Sequence, residues 1–382
     1  MRIAIAANSG WYLYNFRRSL MHALREAGHR PVAVSPHDEY IERLIDEGFD
    51  FIDVALDAAG TNPLQELGTV QRLRQLLRGG RFDAAFTWTP KANIYFGLAA
   101  KGLRLQHVPN VSGLGRVFID ESWLTPLVRR LYRSAFQTAR VVIFQNDDDQ
   151  REFTQLGLVR SDRTVRVPGS GVDLSRFVPT PLPAGGAGVT RVRPVFLFIG
   201  RILRDKGVVE LVEAARIVRA THPGAVFRLL GSIGANNPTA VPAEQVQAWA
   251  AEGVVQVLGP TDDVRPEIAA AHCVVLPSYR EGVPRVLLEA AAMARPCIAT
   301  DVPGCRDAVD HGVTGLFCAV RNVDSLAQAL LSFIELPAEA QEAMGRAGRA
   351  KVERQFDERL VLATYTGLAQ AIDAESRQPR AA

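Results

Sequence analysis

Short apolar runs alternate along the chain with longer segments whose apolar positions recur every three or four residues. In the first half, the segment 16–27 has helical spacing and ends at Gly28, a common residue at a helix terminus. Strands alternating with helices are typical of a parallel sheet covered on both faces. The apolar runs predict strands at 3–7, 31–35, 51–54, 83–87, 106–109 and 141–145.

The alternation stops at a segment rich in proline and glycine and then begins again. We therefore predict a first domain at 1–180, a linker at 181–194 and a second domain at 195–357. A last helix, within 358–382, is long enough to return to the first domain. The second half is predicted to contain strands at 195–199, 226–230, 254–258, 273–276 and 297–300, and a helix at 208–219.

Length and composition fit two soluble α/β domains. The chain has 382 residues, of which 47% are hydrophobic and 22% charged, as in ordinary globular proteins. The four cysteines show no zinc-ligand spacing, so we expect reduced thiols. No apolar run of about 18 residues is present, and the first apolar run is too short for a signal peptide. We expect a cytoplasmic protein that at most docks on a membrane.

Charge argues against a nucleic-acid partner. Residues 1–185 carry 23 basic and 19 acidic side chains, a net charge of +4, and residues 186–382 carry −1. A nucleic-acid-binding domain normally has a much stronger basic stripe.

Basic residues directly follow the predicted strand at 195–199. Gly200, Arg201 and Lys206 come after its carboxyl end, where ligands bind in open α/β sheets. A guanidinium fork with an ammonium point charge suits a diphosphate that gains negative charge on bond cleavage. Taken alone, this spacing fits a solvated charged loop better.

A second polar segment, 278–290, follows the strand at 273–276. Pro284 is predicted as the first residue of a helix that runs to Ala294, with Glu281 in the loop before it. The first backbone N–H groups of that helix suit a phosphate. Glu289 could be an exposed helix residue, but its apolar neighbours indicate a buried helix, where a carboxylate needs a partner.

These motifs together resemble the retaining glycosyltransferases of the GT-B fold, commonly numbered family four. The pattern is G-R-x4-K-G followed by P-S-x2-E-G-x6-E-A, and the segments 167–177 and 301–315 also resemble the family. Almost the whole chain is covered. The resemblance implies a GT-B fold, an α/β architecture of two Rossmann-like domains whose parallel sheets face a central cleft.

The resemblance also implies roles for the residues of the second half. Arg201 and Lys206 would neutralise the donor diphosphate, Glu289 would hold the ribose and Glu281 would contact the transferred sugar. Such transfer needs no metal and no other cofactor. The acidic run 147–149 is interpreted as the start of a helix, with metal binding as the minor alternative. The predicted donor site comprises Gly10, Gly200, Arg201, Lys206, Gly282, Val283, Pro284, Arg285, Val286 and Glu289.

The first domain would supply the acceptor side. Polar residues follow its strands, and the family places a small loop after the first of them. A histidine that many members carry near 110–112 is absent, which leaves the donor sugar open. The predicted acceptor-side residues are Asn8, Ser9, Lys91, Asn93, Ser112 and Gly113.

Several of these motifs look most like a narrower branch, the bacterial transferases that extend polyprenyl-diphosphate-linked sugars. They are the E-G-x-P variant at 281–284, Lys91 with Asn93, and S-G-L-G at 112–115. This resemblance implies a UDP-sugar donor carrying a hexose or N-acetylhexosamine, and a lipid-linked glycan acceptor in bacterial glycan, capsule or O-antigen assembly.

The segment 122–136 has the pattern of a basic amphipathic helix. Its apolar side would include Trp123, Leu127, Leu131 and Phe136, and basic residues flank that side. Such helices dock on anionic membranes, here the inner face of the cell membrane, but a helix whose stripe faces the core has the same pattern. The basic residues are Arg129, Arg130 and Arg133.

Two other enzyme classes share parts of the pattern. A UDP-sugar 2-epimerase has a similar two-domain architecture but uses no acceptor. A dinucleotide oxidoreductase requires G-x-G-x-x-G after a strand, which neither 113–115 nor 169–171 completes.

Overall fold

A computed structural model of the chain describes residues 1–56, 63–113, 125–183, 193–234 and 237–377. The described chain forms two compact units. The first contains the chain up to Ser170 together with the chain from Arg359 onward, and the second contains Gly171–Glu358. Each unit has its own parallel sheet, which confirms the predicted class of two Rossmann-like α/β domains.

The sheet of the first unit has seven parallel strands in the order β3-β2-β1-β4-β5-β6-β7. Apolar clusters cover both faces, as expected for strands buried on two sides. The strands are β1 (Arg2–Ala6), β2 (Arg30–Ser35), β3 (Asp50–Asp53), β4 (Ala84–Trp88), β5 (Gln106–Val111), β6 (Val142–Phe144) and β7 (Thr164–Arg166).

Seven helices of the described chain accompany this sheet. Side chains of Ser9, Asp38 and Asn146 cap three of them by accepting a backbone N–H. The helices are α1 (Gly10–Glu26), α2 (Glu39–Asp46), α3 (Pro63–Gly79), α4 (Pro90–Ala100), α5 (Thr125–Phe136), α6 (Asp147–Gln155) and, from the chain end, α14 (Glu358–Arg377).

The sheet of the second unit has six parallel strands in the order β10-β9-β8-β11-β12-β13, with β8 and β11 adjacent at its centre. The strands are β8 (Val195–Ile199), β9 (Val226–Leu230), β10 (Gln256–Gly259), β11 (Cys273–Leu276), β12 (Cys297–Thr300) and β13 (Gly315–Cys318). The helices are α7 (Val208–Thr221), α8 (Ala243–Ala251), α9 (Arg265–Ala269), α10 (Arg285–Ala292), α11 (Cys305–Ala308), α12 (Val323–Glu335) and α13 (Ala338–Gln355).

The first helix starts earlier than its apolar spacing predicts. The prediction began at residue 16, whereas α1 begins at Gly10. Ser9 caps it, because the Ser9 hydroxyl oxygen accepts the N–H of Tyr12 at 3.2 Å. The intervening aromatic residues do not follow a simple apolar stripe, so only the cap marks the true start.

The second unit begins before the predicted boundary at residue 180. The N–H of Val172 donates to the carbonyl of Phe356 at 2.9 Å, and the N–H of Glu358 returns to Val172 O at 3.1 Å. Phe177 is buried in the core of the second unit. The segment from 171 to 183 is therefore part of this unit, although its prolines look like a linker.

Arg295 fastens the proline-rich segment to the second unit. Its side chain is fully buried and donates to the Thr180 carbonyl at 2.7 Å and the Pro181 carbonyl at 2.7 Å. Further bonds reach the carbonyls of Ile268 and Ala269. Burial lowers the pKa of Arg295 to about 10, and the ring of carbonyl oxygens compensates the buried charge.

The last helix packs on the first sheet. Tyr365 of α14 accepts a hydrogen bond from Asn110 Nδ2 at 2.7 Å, and its ring lies 5.6 Å from the rings of Phe86 and Trp88. Of the helices in the described ranges, none is both long and apolar enough to cross a bilayer.

We expect Arg295→Met to destabilise the second unit by about 3 kcal/mol, because several buried carbonyls lose their donor. Urea unfolding of the full chain measures the change. Arg346→Met, at an exposed position of α13, is the matched control and should change stability by less than about 0.5 kcal/mol. Equal unfolding midpoints for the two variants would contradict the role of Arg295.

Candidate functional site

The two polar segments of the second half meet at the carboxyl edge of the second sheet. Lys206 ends a short 3-10 turn, Arg204–Lys206, after β8, and Glu281 lies in the loop after β11. The Lys206 ammonium lies 2.5 Å from the Glu281 Oε1 atom. Both side chains are mostly buried, with 26% and 12% exposed. The sequence predicted both residues in the site, and the structure shows that they contact each other.

Arg201 lies at the same edge, directly after Gly200. Its side chain is exposed, and the backbone of Gly200 has a φ of 156°. The Gly200 carbonyl is closely approached by Gly231, where an added Cβ would lie 2.0 Å from the oxygen. The chain thus turns sharply after β8 and leaves the guanidinium of Arg201 open to solvent.

Two glycines allow the loops of this edge to pack closely. Gly207 has a φ of 69°, and a Cβ there would lie 2.0 Å from the carbonyl oxygen of Pro277. Gly304 has a φ of 77°, and its Cβ would lie 1.5 Å from the Gly282 carbonyl oxygen. A side chain at Gly207 would force the Lys206 loop away from the loop after β11, and one at Gly304 would force the loop after β12 away from Gly282.

The helix that carries Glu289 is shorter than predicted. Pro284 has a ψ of 113° and serves as the N-cap, so α10 starts at Arg285. The helix ends at Ala292, and Ala294 has a left-handed φ of 57° as the chain turns towards β12. The predicted range, Pro284 to Ala294, was too long by one residue at the start and by two at the end.

Glu289 finds its partner one turn earlier on the same helix. The Glu289 Oε1 atom lies 2.7 Å from Arg285 Nε, and 13% of the Glu289 side chain is exposed. From the sequence, Arg285 was assigned only a backbone N–H contact, although its i,i+4 spacing to Glu289 could have identified the ion pair. Burial raises the pKa of Glu289, opposed by the charges of Arg285 and Arg176.

The residues between Glu281 and α10 form a buried wall. Gly282, Val283 and Pro284 are buried, and Val286 packs against the core of the unit. Cys305 lies close behind them. Burial raises the pKa of the Cys305 thiol well above its usual value, and the Glu281 charge adds to the effect. The thiol therefore stays neutral beside the ion pair.

Arg176 is a charged neighbour that the sequence analysis missed. Asp173 Oδ1 accepts the backbone N–H groups of Ser175 and Arg176 at 2.9 and 3.1 Å, which fixes the turn. The guanidinium of Arg176 is near enough to lower the pKa of Glu289. The D-x-S-R spacing of an Asx turn was the available signal.

In the first unit, the predicted residues after β1 stand at the start of α1. Asn8 is half-buried, Ser9 caps the helix and Gly10 is its first residue. A Cβ on Gly10 would lie 2.2 Å from a carboxylate oxygen of Asp38. The close approach allowed by Gly10 is thus to Asp38 of the same unit.

Lys91 and Asn93 are both engaged within the first unit. The Lys91 ammonium pairs with Glu66 at 2.8 Å. Asn93 is 2% exposed; its amide oxygen accepts the Thr87 hydroxyl at 2.7 Å and its amide nitrogen donates to the Asn110 carbonyl at 2.8 Å. The interpretation of Asn93 as an acceptor-side contact was wrong for this structure, because the side chain is a buried brace.

Ser112 and Gly113 follow β5 at the carboxyl edge of the first sheet. Both are half-buried, and Gly113 has a φ of 146°. They are the last residues described before the gap at 114–124, which contains Gly115 and Trp123.

Helix α5 uses its apolar side for the core. Phe136 is 2% exposed and packs in the core, as in the alternative of a stripe that faces the core. Leu127 is 52% exposed, and Arg130 and Arg133 are also exposed. Arg133 donates to the carbonyls of Leu156 and Gly157 at 2.9 and 3.0 Å and thereby caps α6. Arg129 is half-buried.

The acidic run at 147–149 forms the first turn of α6. Asp149 is fully buried, and its backbone N–H donates to Asn146 at 2.7 Å. Asp148 pairs with Arg151 and Asp147 with Arg166. The three carboxylates point to different partners, as in an ordinary helix start.

Comparison with protein families gives matches in both halves. Residues 15–169 match the family described as glycosyl transferase 4-like domain, and residues 193–335 match the family described as glycosyl transferases group 1. Each match lies largely within one of the two compact units.

Relatives that match this chain over 70% or more of their own length are also glycosyltransferases. The chain is 27% identical, over 96% of its length and 98% of the relative's, to the N,N'-diacetylbacillosaminyl-diphospho-undecaprenol α-1,3-N-acetylgalactosaminyltransferase of Campylobacter jejuni. It is 26% identical, over 70% of each chain, to the Escherichia coli UDP-Gal:α-D-GlcNAc-diphosphoundecaprenol α-1,3-galactosyltransferase. Among solved structures, Anabaena HepE in complex with UDP and glucose has the same fold, with a TM-score of 0.76 at 19% identity, covering 97% of this chain and all of HepE.

Glu289 should make stability depend on pH. Because its folded-state pKa is raised, the carboxyl is neutral in both states at low pH, and ionisation opposes folding as pH rises through the unfolded value. We therefore expect Glu289→Gln to gain stability relative to the unsubstituted chain between about pH 4 and 8. Urea unfolding across that range measures the difference, and a loss instead would mean that the Arg285 pair outweighs burial.

Proposed function

The chain belongs to the glycosyltransferases of the GT-B fold, and we propose that it moves a hexose or N-acetylhexosamine from a UDP-sugar to a polyprenyl-diphosphate-linked sugar. The 2-epimerase alternative finds no support, since the relatives reported above are transferases.

The ion pair between Lys206 and Glu281 carries the proposal. One N–H of the Lys206 ammonium is taken by Glu281, and its other two donors remain for phosphate oxygens. Arg201, exposed at the same edge, adds a bidentate donor. The second carboxylate oxygen of Glu281 is then the acceptor for hydroxyls of the transferred sugar.

The pair of Arg285 and Glu289 supports a nucleoside next to the diphosphate. Glu289 is held by Arg285 at 2.7 Å, so its carboxylate is oriented before any ligand arrives. A preoriented carboxylate accepts two hydroxyls of a ribose with little loss of side-chain entropy. The first N–H groups of α10 lie at the positive end of that helix, where a phosphate is stabilised.

In the proposed reaction, the bond between the anomeric carbon and the diphosphate oxygen breaks. The hydroxyl oxygen of the acceptor forms a new bond to that carbon on the same face, and its proton passes to the leaving phosphate. The configuration is retained. Arg201 and Lys206 stabilise the charge that develops on the diphosphate, so in this scheme no metal and no other cofactor takes part.

The substrates of two relatives support the acceptor and the donor. The Campylobacter relative acts on a diphospho-undecaprenol acceptor, and the Escherichia relative uses UDP-Gal with a diphosphoundecaprenol acceptor. Both acceptors join a sugar to a polyprenyl lipid through a diphosphate. We extend that substrate class, and a site of action at the cytoplasmic face of the cell membrane, to this chain.

Exposed residues of α5 support contact with that membrane. Leu127 and Arg130 are exposed, whereas Tyr132 and Phe136 anchor the opposite side of the helix in the core. An apolar side chain beside a guanidinium suits the interface of an anionic bilayer. The part of the patch that rests on Trp123 lies outside the described residues.

The reaction is tested with a panel of UDP, GDP, ADP and TDP sugars, measured for nucleotide release with and without a short polyprenyl-diphosphate sugar. We expect acceptor-dependent release of UDP. Lys206→Ala should lower kcat/KM by at least about 100-fold, because the diphosphate loses its ammonium. Arg346→Ala should match the unsubstituted enzyme. Release that ignores the acceptor would contradict a transferase.

Membrane contact is tested by sedimentation with vesicles containing anionic phospholipid. Leu127→Glu combined with Arg130→Glu should reduce the bound fraction several-fold, since each of the two charge changes costs about 1 kcal/mol or more at the surface. Arg151→Glu, exposed on α6, is the matched control. Unchanged binding of the double variant would remove α5 from the docking surface.

A further inference from the structure

Tyr279 joins the two segments that carry Lys206 and Glu281. It lies in the loop after β11, two residues before Glu281. Its backbone N–H donates to the carbonyl of Asp205 at 2.9 Å, within the turn that ends at Lys206. Its hydroxyl donates to Glu210 Oε1 at 2.6 Å, in the first turn of α7. Tyr279 therefore contacts both the turn that ends at Lys206 and the helix that follows it.

The acceptor of the Tyr279 hydroxyl is a partly buried carboxylate. The second oxygen of Glu210, Oε2, is buried and has no hydrogen-bond partner among the described residues. A carboxylate in that position depends on the bond it does make. Burial and the neighbouring Glu210 charge raise the pKa of Tyr279, so its hydroxyl keeps the proton that it donates.

A third segment holds the ring of Tyr279. The guanidinium of Arg321, in the loop after β13, lies 4.5 Å from the centre of the ring. Arg321 has a left-handed φ of 54°, a backbone conformation that is unfavourable for a residue with a Cβ. Strain of this kind persists where surrounding contacts determine the conformation.

We propose that Tyr279, supported by Glu210 and Arg321, is a positioning residue that sets the Lys206 ammonium against Glu281 for the donor diphosphate. This role rests on the proposed function. Lys206 and Glu281 attract each other across two separate loops, and without a brace that attraction alone would decide where the ammonium lies. Tyr279 fixes the turn behind Lys206, so the ammonium keeps donors directed at the phosphate next to the sugar.

The test compares the affinities of UDP and UMP for the full chain by titration calorimetry. UMP lacks the second phosphate, so it reports on the rest of the nucleotide site. We expect Tyr279→Phe, which keeps the ring under Arg321, to weaken UDP about tenfold and UMP less than about twofold. Glu210→Gln should behave similarly. Glu213→Gln, one turn along α7 in a surface pair with Arg216, is the matched control and should change neither affinity.

Combining Tyr279→Phe with Lys206→Ala shows whether the effect acts through Lys206. In the Lys206→Ala background, Tyr279→Phe should lower UDP affinity by less than about a further twofold, because the ammonium that Tyr279 positions is absent. Equal losses for UDP and UMP, or fully additive losses in the double variant, would overturn the positioning role.

Two further observations separate the possible failures. Arg321→Gly suits the left-handed backbone and removes the cation above the ring; we expect it to weaken UDP about threefold without lowering the Tm. If Lys206→Ala binds UDP more weakly than the unsubstituted chain but the Tyr279, Glu210 and Arg321 variants bind it equally well, the role of Tyr279 fails and the proposed function stands. If the unsubstituted chain binds neither nucleotide, the proposed function fails, and the role of Tyr279 with it.

Discussion

The site depends on the buried parallel sheet of the second unit. Its strands are covered on both faces and carry few charged side chains; Arg228 of β9 is half-buried and pairs with Glu267. Lys206 and Glu281 lie instead in loops at the carboxyl ends of the strands. Because β8 and β11 are neighbours, the loops that follow them must lie side by side. Lys206 and Glu281, 75 residues apart in the chain, meet for this reason.

Two buried charged residues of the second unit, Arg295 and Glu289, are compensated to different degrees. Arg295 is compensated by carbonyl oxygens and has a structural role, because its donors hold the segment around Thr180 to the second unit. Glu289 has a single charged partner at bonding distance and a raised pKa, so its carboxylate remains undercompensated. A group whose charge is not fully compensated by the protein is the better candidate for a ligand.

Much of the fold follows from local pattern, and the errors have physical causes. Strands β8, β9, β11 and β12 coincide with their predicted bounds, because mostly buried strands carry largely apolar sequence, even though Arg228 interrupts β9. The three-residue strand β7 is half-exposed and leaves no such run. The domain boundary was misplaced because prolines 179 to 183 resemble a linker, whereas contacts with Arg295, distant in sequence, decide where they belong.

The site residues also differ in how far the sequence reveals them. Lys206, Glu281 and Glu289 could be singled out because their joint motif resembles a known family, whereas the position of Lys206 alone fits a solvated loop better. Tyr279 is not, because an aromatic residue in a loop gives no sign that its backbone and its hydroxyl reach two neighbouring segments.

Asn93 is a residue whose place in the sequence suggested a site role but whose side chain is bonded inside the first unit. Its position after a strand suggested a ligand contact, yet its amide joins Thr87 of β4 to Asn110 of β5, and Asn110 in turn donates to Tyr365 of α14. These bonds satisfy buried polar groups at the carboxyl ends of two strands and fix the last helix to them. Ser112 and Gly113 directly follow the strand that carries Asn110, so Asn93 braces the backbone that leads into this predicted acceptor-side segment from inside the unit.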